Sequence, residues 1–265
     1  MSIRKQIRTT LASVDRRLGV REWLRENGGP EAVAQSAQFD PFTSAPELQH
    51  PRALTVLDIG GNYGQFATEA FRAFPGATVY SFEPIPECLE KLSALRTEHP
   101  TLHTFPLALS DRDGETEFHL SRFRDSSSIQ EMLPTHLEAW PFTETESKIT
   151  VQVARLDTVA AQLDLRPPVF AKLDVQGHEL AVIRGGRATL SLCQRVMTEC
   201  NFAPLYKGQP TFVELYEEMR SLGFLFEGFI SLLRHPRTLE LLSADAIFYR
   251  PAVADMAGQD TQVAS

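Results

Sequence analysis

The chain has 265 residues, of which 43% are hydrophobic and 23% are charged, and this is enough for one sizeable core. Its formal net charge is −8, which argues against a general nucleic-acid binder and against a protein that adheres to anionic membranes. The three cysteines, Cys88, Cys193 and Cys200, show no CxxC spacing. We therefore expect neither a disulfide framework nor a zinc site, and we predict a cytoplasmic location.

Residues 1–26 predict an amphipathic basic helix, because apolar side chains recur near the helical period. These side chains are Ile3, Ile7, Leu11, Val14 and Leu18, with arginines and a lysine around them. Such a helix packs on the main domain, which we favour, or lies on a membrane surface or a partner protein. Glycines and prolines follow it, so residues 1–50 are interpreted as a helical extension and linker.

The segment 55–64 is predicted to form a strand, a tight glycine turn and the start of a helix. A short apolar run reaches Asp58, and Gly60, Gly61 and Gly64 follow it. Glycine has no Cβ, so the chain can turn sharply and a ligand can lie against its backbone. This pattern is typical of the first unit of a nucleotide-binding α/β domain.

Strands and helices alternate along the rest of the chain. We predict strands at 78–82, 102–110, 115–120, 148–153, 169–173, 195–198, 224–226 and 246–249, helices at 86–96, 178–190 and 211–222, and an insert or lid at 121–148. The alternation predicts an α/β domain over residues 51–251 with a doubly wound, mainly parallel sheet. The small, polar residues 252–265 are expected to be a disordered tail.

Acidic residues follow five successive predicted strands. They are Asp58, Glu83, Asp111 (directly after Ser110), Asp174 and Glu199. The carboxyl ends of parallel strands meet at one edge of a sheet, and open α/β sheets bind their ligands there. We therefore expect a single site that contains all five, beside the glycine turn.

The spacing of the glycine turn favours an S-adenosyl cofactor over a dinucleotide. A dinucleotide fingerprint reads GxGxxG, whereas this chain has Asp58-x-Gly60-x-Asn62-x-Gly64, the frame of Class I methyltransferases with asparagine at the middle glycine. Asparagine tolerates a left-handed backbone, and its amide can bind a ligand. Glu83 is expected to accept hydrogen bonds from both ribose hydroxyls, and it would repel the 2′-phosphate of NADP.

The segment 172–179 carries the candidate catalytic groups. Asp174 ends a buried strand, and His178 is expected in the first turn of the next helix, where the helix dipole lowers its pKa. A neutral imidazole near a hydroxyl suits general-base catalysis, so Asp174 and His178 are both candidate bases. Together with Glu199 they would also suit a divalent metal such as Mg²⁺, although we do not favour a metal.

The chain resembles the FkbM-type family of methyltransferases. The matching pieces occur in the family's order: Asp58–Gly64, Phe82–Pro84, 108–114, 125–128, 155–158, 172–179 and Glu199. The resemblance implies a seven-stranded Class I methyltransferase fold with a reversed last strand. It also implies S-adenosylmethionine as the donor and a hydroxyl acceptor, often on a sugar or a secondary metabolite. Residues 1–50 lie outside it and are expected to make acceptor or oligomer contacts.

Carried over by position, the resemblance implies roles for single residues. Asp58, Gly60, Asn62 and Gly64 would hold the methionine part of the cofactor, Glu83 the ribose, Ser110 and Asp111 the adenine, and Arg155 and Glu199 the acceptor. A turn at 111–114 would explain Asp111 without any ligand. Arg155 would equally suit a surface ion pair.

Three functions are compatible with these patterns. We favour an O-methyltransferase in which Asp174 or His178 takes the hydroxyl proton. An NAD-dependent oxidoreductase is disfavoured by the glycine spacing and by the lack of a Tyr-x-x-x-Lys dyad. A non-catalytic partner protein that binds S-adenosyl ligands is supported by the basic helix, but the intact stretch 174–179 counts against it. No motif identifies the acceptor.

Overall fold

The structure is a computed structural model that describes residues 54–251. The predicted helix at 1–26, the linker and the tail at 252–265 lie outside the described residues, so the domain boundaries stay predictions. The strands are β1 (Thr55–Ile59), β2 (Thr78–Phe82), β3 (Leu102–Phe105), β4 (Ala108–Ser110), β5 (Gly114–Ser121), β6 (Thr145–Arg155), β7 (Val169–Leu173), β8 (Arg195–Asn201), β9 (Leu225–Arg234) and β10 (Leu241–Tyr249).

Seven α-helices accompany the strands in this part of the chain. They are α1 (Gln65–Ala73), α2 (Pro86–Ala94), α3 (Pro134–Ala139), α4 (Leu156–Ala160), α5 (Glu179–Gly185), α6 (Arg187–Leu190) and α7 (Phe212–Ser221). Helix α2 begins with a proline at its first turn, where a missing backbone N–H costs nothing. Helix α7 begins with a capping box, in which the side chains of Thr211 and Glu214 each accept the other's backbone N–H.

The main sheet has seven strands in the order β3-β2-β1-β7-β8-β10-β9. Strands β3, β2, β1, β7 and β8 are parallel, whereas β10 is antiparallel to both of its neighbours. The predicted mainly parallel, doubly wound sheet with a reversed last strand is therefore confirmed. Its topology places the carboxyl ends of β1, β2, β7 and β8 at one edge.

Helices cover both faces of this sheet because alternate strand residues point to opposite sides. On one face, Phe170 and Met197 pack with Phe66 of α1. On the other, Leu57 and Leu173 pack with helices α4 to α7. Full burial of each such side chain stabilises the fold by about 1.5–3 kcal/mol.

Several predicted strands differ from the structure. The run 102–110 is split, since β3 joins the main sheet while β4 joins a second sheet of order β4-β6-β5. The last two strands are much longer than predicted. Bulges in the β9–β10 pairing break the regular alternation of inward and outward side chains, so the sequence pattern does not reveal the full length of these strands. The insert at 121–148 contains α3, and β6 already begins at Thr145.

Among residues 54–251, none of the helices combines the length and the apolar character that crossing a membrane requires.

Candidate active site

The glycine turn after β1 is held between the ends of β2 and β7. The backbone N–H groups of Gly60 and Gly61 both donate to the carbonyl oxygen of Phe82, at 3.1 and 3.0 Å. Gly60 has φ +85°, and a Cβ there would overlap the carbonyl oxygen of Asp174. The turn thus requires glycine both for its backbone angle and for its closeness to β7.

Asn62 fills the middle position of the turn with a left-handed backbone, φ 45°. Its N–H donates to Glu83 Oε2 at 2.8 Å, and its side-chain amide donates to Asp125 Oδ1 at 2.7 Å. Its Oδ1 is buried and has no hydrogen-bond partner in the described chain. Asparagine therefore connects the turn to the end of β2 and to the segment after β5.

Asp58 lies fully buried beneath the turn. Its Oδ2 accepts a hydrogen bond from Ser81 Oγ at 2.7 Å, while Oδ1 is buried and lacks a partner within residues 54–251. Burial raises the pKa of Asp58, and the positive charge of Lys172 opposes this rise. One acceptor oxygen of this carboxyl group is thus left for a ligand's donor.

Glu83 follows β2 and is almost completely buried. Its Oε1 accepts the N–H of Ile85 at 2.7 Å and its Oε2 accepts that of Asn62. Burial raises the pKa of Glu83 to about 7, although both backbone donors favour the charged form. Each carboxylate oxygen has a second lone pair, so the group can still accept two ribose hydroxyls.

Lys172 and Asp174 lie on the same face of β7. Lys172 Nζ contacts Asp174 Oδ2 at 3.0 Å, and the Asp174 side chain is 36% exposed. Burial alone would lower the pKa of Lys172, but attraction to Asp174, Asp58 and Asp245 outweighs it and raises the pKa. Lys172 therefore stays charged, and its positive charge acts on both Asp174 and the buried Asp58.

Gln176 joins Asp174 to Glu199 on the neighbouring strand. Its amide nitrogen donates to Asp174 Oδ1 and to Glu199 Oε2, both at 2.8 Å. Glu199 in turn pairs in register with Asp245 of β10. Burial, followed by repulsion from Asp174, raises the pKa of Glu199 well above its usual value, and burial raises that of Asp245 to about 6.

These three acids, Asp174, Glu199 and Asp245, form a row across β7, β8 and β10, which we call the acidic row. Sequence reasoning found the first two from the strand ends and missed Asp245. The only signal for Asp245 was an acid inside an apolar run of a late strand, and its place beside Glu199 depends on the reversed strand.

His178 lies directly before α5 rather than in its first turn, and it is buried. Gln130 Nε2 donates to His178 Nδ1 at 3.1 Å. The ring proton of His178 is therefore assigned to its own Nε2, which lies 2.9 Å from Ser110 Oγ. Burial, not the helix dipole, is the main reason that the pKa of His178 is lowered to about 4. The imidazole is therefore neutral, as predicted, and both nitrogens are already hydrogen-bonded. Its role as a base stays a prediction.

Ser110 is the last residue of β4, in the second sheet, and Asp111 follows it. Ser110 is buried against His178, whereas the side chain of Asp111 is 51% exposed and lies 3.9 Å from Arg112. The two residues therefore have different surroundings, and their contact with adenine stays a prediction.

Arg155 ends β6, and its backbone pairs in register with Ser110. Its guanidinium is 45% exposed and lies 3.8 Å from Asp157. This matches the surface ion pair that we considered as the alternative to an acceptor contact. An acceptor role for Arg155 stays a prediction.

The three suggested metal ligands do not converge on one point. Asp174 and Glu199 share the Gln176 amide, whereas His178 is hydrogen-bonded to Ser110 and Gln130. Within residues 54–251 no cluster of three or more His, Cys, Asp or Glu side chains is arranged to hold a metal ion.

Comparison with known proteins gives a consistent picture. The family model described as "Methyltransferase FkbM domain" matches residues 58–226. The chain is 30% identical to the "2-O-methyltransferase NoeI" of Sinorhizobium fredii, over 70% of this chain and 76% of that protein. It is 28% identical to the "31-O-demethyl-FK506 methyltransferase FkbM" of Streptomyces tacrolimicus, over 57% of this chain and 69% of that protein. It is 27% identical to the "Hexuronic acid methyltransferase AglP" of Haloferax volcanii, over 54% of each chain.

Proposed function

The chain belongs to the FkbM family of methyltransferases, and on this premise we propose that it methylates a hydroxyl of a sugar or secondary metabolite with S-adenosylmethionine. The observation that carries the proposal is the meeting of Asp58, Glu83 and Asp174 around one glycine turn. An electropositive ligand with several donors suits such a site.

The residues present fit S-adenosylmethionine. Asp58 Oδ1 and Asn62 Oδ1 are buried acceptors without a partner in the described chain, so a ligand that donates there would satisfy both. We assign the methionine part to Asp58, Gly60, Asn62 and Gly64, the ribose to Glu83, and the adenine to Ser110 and Asp111. When bound, this cofactor supplies a methyl group on a sulfonium that is already electrophilic.

The protein's own task is to position the acceptor and take up its proton. The Asp174 side chain is partly exposed, and contacts with Lys172 and Gln176 fix its position. We therefore assign Asp174 as the base. Alignment of the two reactants supplies a large share of the rate in such displacements. His178 remains the second candidate base.

The acidic row favours a neutral acceptor over an anionic one. Asp174, Glu199 and Asp245 lie on or directly after adjacent strands, and Lys172 forms an ion pair with Asp174. A uronate or phosphate group beside this row would meet like charge. We therefore expect a neutral sugar or polyol hydroxyl, whose donors the carboxyl oxygens can accept.

The test is transfer of a deuterated methyl group from labelled S-adenosylmethionine to a panel of methyl glycosides and their matching glycuronides. We expect mass spectrometry to show the label on an oxygen of a neutral glycoside and weaker labelling of the glycuronides. Binding of S-adenosylhomocysteine without any transfer, to these or to metabolites of cells that lack the chain, would support the non-catalytic alternative instead.

Affinity for S-adenosylhomocysteine should fall as the pH falls from 8 to 6. The pKa of Glu83 is raised to about 7, and ribose donors favour its carboxylate, so binding at lower pH must first remove a proton. The loss is at most about tenfold per pH unit. Calorimetric titrations at pH 8, 7 and 6 measure it.

Glu83→Gln is the control for this pH effect, because its amide cannot titrate. We expect weaker binding that changes less between pH 6 and 8; Asp58, which also faces Glu83 and whose pKa is also raised by burial, is still present in this variant. A wild-type affinity that is constant over this range would show that Glu83 does not hold the ribose.

We also propose a cytoplasmic location and no role for nucleic acid. Cys88, Cys193 and Cys200 are all free and buried, which fits a reducing compartment. The net charge of −8 disfavours binding to polyanions.

A further inference from the structure

Gln176 occupies an unusual backbone position between β7 and α5. Its φ of 56° is left-handed, a conformation that residues other than glycine adopt rarely and at a cost in free energy. A residue of another segment stabilises this backbone, because Ser128 Oγ donates a hydrogen bond to the Gln176 carbonyl oxygen at 2.7 Å. Backbone strain of this kind persists only where the surrounding contacts hold the residue in that conformation, and it is frequent at functional sites.

All hydrogen-bonding atoms of the Gln176 side chain have partners. One amide N–H reaches Asp174 Oδ1, the other reaches Glu199 Oε2, and the amide oxygen lies 2.8 Å from the hydroxyl of Tyr206. Tyr206 is itself buried. An amide turned the other way would place its oxygen against two carboxyl groups, so these neighbours determine the orientation.

The two acids that Gln176 joins have different surroundings. Asp174 forms an ion pair with Lys172. Glu199 faces Asp174, Glu179 of α5 and Asp245 of β10, and burial together with these three acids raises its pKa. The Gln176 amide therefore lies between one acid that is paired with a cation and one that is surrounded by other acids.

We propose that Gln176 is a positioning residue for methyl transfer, which fixes the orientation of the Asp174 carboxylate and holds Glu199 beside it. The inference rests on the proposed function, in which Asp174 receives the proton of the acceptor hydroxyl. The other amide N–H holds Glu199 beside Asp174, whose second carboxylate oxygen contacts Lys172. A glutamine suits this position because its amide offers two uncharged N–H donors on one nitrogen and an acceptor oxygen for the Tyr206 hydroxyl.

Gln176→Leu tests the proposal, because leucine retains most of the volume and removes both donors. With the best methyl glycoside as acceptor, kcat should fall about 10- to 100-fold, the loss expected for a hydrogen bond to a charged group. The KM for S-adenosylmethionine should change less than about threefold, because the substitution leaves the assigned cofactor contacts in place. The acid limb of the pH–rate profile should move up by about one pH unit, because the Asp174 carboxylate loses a donor.

Gln209→Leu is the matched control. Gln209 also uses its amide within this region, since it accepts the N–H groups of Leu205 and Tyr206 and donates to Ala203, but it contacts no carboxyl group. We expect this variant to lower the Tm without moving the acid limb. If both variants lower the Tm and neither moves the acid limb, Gln176 is structural only and the proposal is wrong.

A measurement without any acceptor separates this proposal from the proposed function. In protein with carboxyl-labelled aspartate, the resonance lost in Asp174→Asn identifies Asp174, and its titration can be followed by NMR. We expect its midpoint to rise by about one pH unit in Gln176→Leu. An unchanged midpoint overturns the role of Gln176 even if methyl transfer is confirmed, whereas a shifted midpoint without transfer to any acceptor overturns the function alone.

Discussion

Replacing Asp174 by asparagine is expected to lower kcat for methyl transfer about 100- to 10,000-fold, the range found for loss of a positioned general base. Asparagine has nearly the same size and can still accept the hydrogen bond from Gln176. It cannot take up a proton, and its amide would face the ammonium group of Lys172, 3.0 Å from the present carboxylate oxygen. Binding of S-adenosylhomocysteine should change little, because Asp174 is not among the residues assigned to the cofactor.

Asp164→Asn is the control for a lost carboxylate elsewhere on the surface. Asp164 precedes β7, at the opposite end of the strand from Asp174, and it is exposed and paired with Arg166. We expect unchanged kcat in this variant. A kcat of Asp174→Asn within a few-fold of the wild type would exclude Asp174 as the base, and His178→Ala would then test the second candidate.

Replacing Gly60 by alanine should have the second large effect, the loss of both cofactor binding and stability. The new Cβ would overlap the Asp174 carbonyl oxygen, a backbone atom that cannot rotate away. The expected cost is roughly 2–5 kcal/mol, from about 1–2 for the left-handed backbone and about 1–3 for overpacking. Urea unfolding measures the stability, and calorimetry with S-adenosylhomocysteine measures the binding.

Gly208→Ala separates these two contributions. Gly208 has φ +76°, close to that of Gly60, but a Cβ there would meet nothing within 4 Å. Only the backbone cost of about 1–2 kcal/mol should therefore appear, with cofactor binding unchanged. Equal loss of stability in both variants would show that Gly60 does not lie against β7 as described.

The parts of the site that sequence reasoning predicted are those that follow from local pattern and strand direction. Asp58, Glu83 and Asp174 each follow a short apolar run, and parallel strands bring such ends together. Their meeting at the glycine turn could be predicted without any knowledge of side-chain packing. The left-handed conformation of Asn62 was predictable for the same reason, since its place in the turn demands it.

What could not be predicted depends on contacts between distant segments. The run 102–110 is continuous in sequence, yet Ser110 and Asp111 leave the main sheet because β4 pairs with β6. Asp245 reaches Glu199 only through the antiparallel pairing of β10 with β8. The role of Gln176 depends on Tyr206, thirty residues further along the chain. No periodicity within one segment carries this information.

The most direct test of the central claim, that the edge of the sheet beside the glycine turn binds an S-adenosyl cofactor, is a calorimetric titration of the protein with S-adenosylhomocysteine and, separately, with NAD. We expect saturable binding of S-adenosylhomocysteine that is lost in Gly60→Ala and retained in Gly208→Ala, and no binding of NAD. Binding of NAD without binding of S-adenosylhomocysteine would contradict it.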